Sequence, residues 1–129
     1  MAAFTATDWT FTILERTKIP TGWRNRIVAS LPTTGEFPST GIPIGNPQTA
    51  TNRENAWGMP RRVDAIKILD HNCPYGNVRL RLATTDTDPM NGTLRIFILT
   101  TSGTPAALSS ALHPGGTVPF VMYLEAYGS

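Results

Sequence analysis

The stretch Asn77-Val-Arg-Leu-Arg-Leu82 alternates apolar and cationic side chains with a period of two. Successive side chains of a β-strand point to opposite faces, so Val78, Leu80 and Leu82 are expected on one face and Arg79 and Arg81 on the other, a separation that a helix cannot make. The same period recurs along the chain. Trp9, Phe11 and Ile13 alternate with threonines over 8–16, Trp23, Ile27, Ala29 and Leu31 oppose Arg24 and Arg26 over 23–31, and Leu94, Ile96 and Ile98 alternate over 93–100. Residues 63–70, VDAIKILD, are a denser apolar run that predicts a strand covered on both faces. Residues 117–127 predict a last strand that starts, or lies at an edge, near Pro119.

Short polar turns punctuate these runs. Residues 19–22, IPTG, predict an antiparallel pairing of the first two strands, and DTDPMNG predicts a hairpin between 77–85 and 93–100. Thr104 as N-cap and Pro105 at the first helical position predict one or two helical turns over 103–112, ended by HPGG. Eleven Gly and eleven Pro, 22 of 129 residues, exceed the usual share of about 12% and favour turns over long helices. The expectation is one all-β domain over 1–129, an antiparallel sandwich or jelly-roll-like barrel with at most one short helix.

The period fails between residues 32 and 62, which reads as a long loop or arm. Yet EFPSTGIPIG carries Phe37, Ile42 and Ile44, and AWGMP carries Trp57 and Met59, all groups that avoid water. Long connections of this kind are often binding arms or lids. With Arg61 and Arg62 beside them, these residues have the aromatic, Met and Arg composition favoured at protein interfaces. Phe37, Ile42, Ile44, Trp57, Met59, Arg61 and Arg62 are therefore the candidate partner contacts.

Catalytic chemistry finds little material. The chain has one Cys, two His and nine acids, and no catalytic set, cofactor site or metal site is expected. His71 and Cys73 lack the second ligand pair of a zinc site. Asp86, Asp88 and Asn91 lack the fifth and twelfth ligands of an EF-hand loop and read as turn formers. The formal charge of +2, with nine Arg among eleven cations, is too small a surplus to argue for nucleic acid by itself. The alternative reading is an RNA-binding coat or regulatory module that uses Arg79, Arg81 and Arg95 as a cationic ladder, although Phe97 is the only aromatic ring beside them. Neither a secretory signal nor a membrane-length apolar run is visible.

The order FPSTGIPI, WGMPRRVDAIKIL, DPMNGTLRIF and MYLEAYG, opened by DWTFTILERT, resembles the small head proteins of tailed bacteriophages that decorate or cement the capsid. The chain departs from that pattern at Thr40, where a Gly is expected, and at residues 46–55, a longer connection. The resemblance implies a non-enzymatic, β-rich structural virion protein, made in the host cytoplasm and bound as a homotrimer to the outer surface of an icosahedral head. The partner it implies is the major capsid protein.

Overall fold

A computed structural model describes residues 4–36, 42–45, 49–74, 77–82, 94–99, 105–106 and 113–129. Within 77–82 the side chains of Val78 and Leu80 are described, and 94–99 and 105–106 are described as backbone. The elements in chain order are a 3-10 turn at Ala6–Asp8, β1 (Thr10–Ile19), β2 (Gly22–Leu31), β3 (Ile42–Gly45), α1 (Ala50–Asn55), β4 (Val63–His71), β5 (Asn77–Leu82), β6 (Leu94–Leu99), β7 (Pro105–Ala106) and β8 (Phe120–Gly128). One sheet has the order β1-β2-β8-β4 and the other β3-β6-β5, with β7 beside β6. Every pairing is antiparallel, so the all-β expectation holds.

Burial follows the period of two where the sequence shows it most plainly. Ile27, Ala29 and Leu31 of β2 and Phe120, Met122, Leu124 and Ala126 of β8 are each at most 1% exposed, on the inner face of the first sheet. Ile42 and Ile44 of β3 and Val78 of β5 meet them from the second sheet. The β1–β2 hairpin turns at Pro20 and Thr21, as expected, and β5 pairs with β6 from Asn77↔Leu99 to Leu82↔Leu94.

Three expectations need correction. Strand β4 is not covered on both faces: it ends the order of its sheet, Val63 is its one buried residue, and Ile66 and Ile68 are half-buried against the core. Pro105 and Ala106 do not start a helix; they pair with Leu99 and Ile98, and a proline that lacks an N–H suits such a short flanking strand. The rest of the expected helix and the hairpin turn at 86–92 lie outside the described residues. Finally, the arm over 32–62 is not without structure, since it contains β3 and α1.

Candidate interaction surface

The arm folds over its own chain. Ile42, Trp57 and Met59 are fully buried and Ile44 is 2% exposed, all within the hydrophobic core of the described residues. Two polar anchors hold this arrangement. The Trp9 indole N–H donates to the Pro43 carbonyl at 2.8 Å. From the inner face of β2, the buried Asn25 amide donates to the carbonyls of Trp57 at 2.9 Å and Gly58 at 3.3 Å. Asn25 is thus a key residue that the sequence reading passed over, although an Asn among inward positions between Trp23 and Ile27 was a visible signal.

Helix α1 ends just before this clamp. The Ala56 and Trp57 N–H groups both donate to the Asn52 carbonyl, and the Met59 N–H donates to the Arg53 carbonyl at 2.6 Å. Gly58 has φ +69, and a Cβ there would come within 2.7 Å of both Asn25 Nδ2 and Ile13 Cδ1. The turn therefore needs glycine for its backbone conformation and for space.

Four of the five apolar candidates, Ile42, Ile44, Trp57 and Met59, are thus spent on the fold, and a partner cannot touch them without opening the core. Phe37 lies outside the described residues. Among the arm's exposed residues are Pro60, Arg61 and Arg62, and Glu54 and Asn55 of α1. The Pro60-Arg61-Arg62 rim is held by backbone: the Ser129 carbonyl accepts the Arg61 and Arg62 N–H groups at 2.6 and 2.9 Å, and the Ser129 N–H donates to the Arg62 carbonyl at 3.0 Å. Arg62 Nε also lies 2.9 Å from Asp64 Oδ1, but both side chains are largely exposed, and such a pair contributes at most about 1 kcal/mol.

Two open clefts lie along α1. One, of about 290 Å³, lies between Ile13 and Arg16 of β1 and the Glu54, Gly58 and Pro60 side. The guanidinium of Arg16, in its wall, stacks 4.0 Å from the centroid of the Trp23 ring. The other, of about 420 Å³, has Trp9 and Phe11 in its wall and Thr51, Asn52 and Asn55 on its lip. Neither brings a carboxylate to an aromatic ring in a catalytic arrangement. Among the described residues no three His, Cys, Asp or Glu side chains cluster as metal ligands would.

The cationic ladder can be placed by register alone. Arg81 pairs with Arg95 and Arg79 with Phe97 across β5 and β6; their side chains lie outside the described residues.

The DHNC turn has a structural role. His71 Nδ1 faces the Cys73 N–H at 3.1 Å and Nε2 faces the Val78 N–H at 3.2 Å, linking the end of β4 to the start of β5. Burial pushes the His71 pKa below its ordinary 6.5, opposed by the nearby Asp70 carboxylate. A neutral ring has one acceptor nitrogen and accepts from one of these N–H groups at a time, whereas a protonated ring has none, so the geometry favours the neutral form in the same direction as burial. Because the folded pKa is the lower one, the unfolded chain takes up the proton first as pH falls. Stability is then fully retained above about pH 6.5, declines below it, and levels off beneath the folded pKa. Urea unfolding at pH 7.5 and pH 5 should show this loss in the native protein and a smaller one in His71→Asn; equal losses would remove His71 as the cause.

Comparison with protein-family profiles, with curated proteins and with solved structures found no match.

Proposed function

We propose that this chain is a structural virion protein, a decoration or cement protein that binds the outer surface of an icosahedral phage head and stabilises it by attachment. The supporting observation is the construction of the arm, whose motifs carry the resemblance to such proteins. Ile42, Ile44, Trp57 and Met59 are committed to the core, and the Pro60-Arg61-Arg62 rim is fixed by three backbone hydrogen bonds to Ser129. A rim fixed in advance loses little conformational entropy on binding, and two guanidiniums suit carboxylates on a shell formed by the major capsid protein.

The mechanism is linkage. A protein that binds the closed lattice and not its free subunits stabilises the lattice by about 2.7 kcal/mol per site when its free concentration is 100 times Kd. A homotrimer would add multivalent attachment, so that modest contacts per chain hold together strongly.

Shells assembled from the major capsid protein of the same virion provide the test. The native chain should co-sediment with them and raise their disruption temperature. The double variant Arg61→Glu, Arg62→Glu should lose no more than about 1 kcal/mol of stability, because both side chains are exposed and the one ion pair removed, Arg62 with Asp64, is a surface pair, yet lose at least about tenfold in shell affinity. A native chain that stays in the supernatant would end this reading.

A further inference from the structure

We infer that the outer face of the β1-β2-β8-β4 sheet is a self-complementary surface that pairs with a second copy of this chain about a twofold axis parallel to the strands. The inference rests on the sheet alone and holds whether or not the chain binds a shell.

Register places four charged residues in one row across the sheet. Glu15 of β1 pairs with Arg26 of β2, Arg26 with Glu125 of β8, and Glu125 with Lys67 of β4. All four belong to the face opposite the core, because Ile27, Leu124 and Ala126, their immediate neighbours, point inward. The row reads negative, positive, negative, positive. Within the chain it already interacts: Arg26 Nε lies 3.5 Å from Glu125 Oε2, and the Tyr127 hydroxyl donates to Glu125 Oε1. Arg26 keeps about half of its side chain, 53%, open to a second acceptor, whereas the Glu125 side chain is only 9% exposed and is already held by Arg26 and Tyr127 of its own chain.

Such a row is antisymmetric about its centre. When two sheets pack face to face, a twofold axis parallel to the strands exchanges the first strand with the fourth and the second with the third. Glu15 of one copy then meets Lys67 of the other, an exposed pair that occurs twice, while Arg26 falls over the largely covered Glu125 and meets no like charge. An axis perpendicular to the strands would instead set Glu15 against Glu15 and Arg26 against Arg26. The charge pattern thus selects one geometry and rejects the other.

The neighbouring rows agree. Val28 pairs with Tyr123 in register, so the same operation sets Val28 of one copy against Tyr123 of the other, an apolar contact for a ring that is 46% exposed in the single chain. Arg24 falls opposite Tyr127, and no like charges meet. Four strands at about 4.8 Å spacing and some nine residues at about 3.3 Å give roughly 600 Å² per copy, the low end of specific interfaces. The dimer should therefore be weak and concentration-dependent. It is also distinct from any threefold contact, which joins unlike surfaces.

Sedimentation equilibrium on charge-reversed variants tests this. Glu15→Lys alone and Lys67→Glu alone each turn two attractions into two repulsions, and each should weaken self-association at least about tenfold. Mixed in equal amounts, the two variants restore both attractions. The lysine introduced at position 15 of one copy faces the glutamate introduced at position 67 of the other, while the unchanged Lys67 of the first faces the unchanged Glu15 of the second. The mixed dimer should therefore form about as well as the native one. Tyr123→Glu should abolish pairing in any mixture. Both reversed residues are exposed, and circular dichroism with urea midpoints checks that each variant folds. Association that is absent in the native chain at high micromolar concentration, that is unmoved by the single reversals, or that is not restored on mixing would each overturn the inference.

Discussion

Trp57→Ala is expected to lower the unfolding free energy by about 3–5 kcal/mol, the range for deleting a large aromatic side chain from a packed core. Trp57 is fully buried, and its ring packs against Phe11 with centroids 5.3 Å apart at a 57° tilt. Truncation would leave a void beneath β1 and β2 and loosen the turn whose carbonyl Asn25 grips. Trp57→Phe should behave differently. Among the described residues the indole N–H is buried without an acceptor, an arrangement that costs about 1–3 kcal/mol. Phenylalanine removes that donor while giving up part of the volume, so its net loss should stay near 1 kcal/mol or less. Urea unfolding of the three proteins, with unchanged m-values, measures both differences. The pair also bears on function: if Trp57 serves the fold, Trp57→Phe binds shells as the native chain does. A stable Trp57→Phe protein that no longer bound would place the indole at the partner instead.

The strands were legible where one face is buried and the other wet, because that condition writes a period of two into the residues. Strand β4 was not, for a physical reason. Its pairing with β8 shifts register between Val63 and Ala65 and again between Ile68 and Asp70, and each extra residue inverts the phase of the alternation. VDAIKILD consequently reads as one apolar run, although Asp64, Lys67 and Asp70 are exposed. Thr104-Pro105 misled for another reason: a proline without an N–H suits the first turn of a helix and a short flanking strand equally, and only the partner strand decides. In the arm, Pro43 between Ile42 and Ile44 hid a period too short to count. The carbonyls that bind Asn25 and the rim that binds Ser129 have partners more than thirty and sixty residues away in sequence. The apolar residues of the arm were correctly singled out as needing cover, but a sequence cannot say whose surface supplies it. The charged row is the extreme case, since residues 15, 26, 67 and 125 become neighbours only when four strands are in register.

Gly128→Ala should be nearly as damaging as Trp57→Ala, though it adds a single methyl group at an end of β8. Gly128 has no positive φ, so the cost does not come from the backbone conformation. It comes from close approach: a Cβ there would land on the Arg62 carbonyl oxygen and lie 3.1 Å from Val63 Cα, and backbone atoms cannot swing aside as a side-chain tip can. The Arg62 oxygen is also the acceptor of the Ser129 N–H, and the Ser129 carbonyl in turn holds the Arg61 and Arg62 N–H groups. Moving it endangers three backbone hydrogen bonds, each worth about 0.5–1.5 kcal/mol net, so a loss of roughly 2–4 kcal/mol is expected. Gly116→Ala is the contrast, with φ +72 but an added Cβ only in ordinary contact, 3.4 Å from Pro74 Cγ. It should cost about 1 kcal/mol, from left-handed strain alone. The two substitutions should separate again in shell binding. Gly116 lies at the 114–117 turn, away from the Ser129 bonds that fix the rim, and its alanine variant should bind like the native chain once folded. Gly128→Ala frees the backbone of Arg61 and Arg62, so its folded fraction should bind shells more weakly even with both guanidiniums present. Equal binding by the two variants would mean that the rim does not need its fixed backbone, and that attachment depends on charge alone.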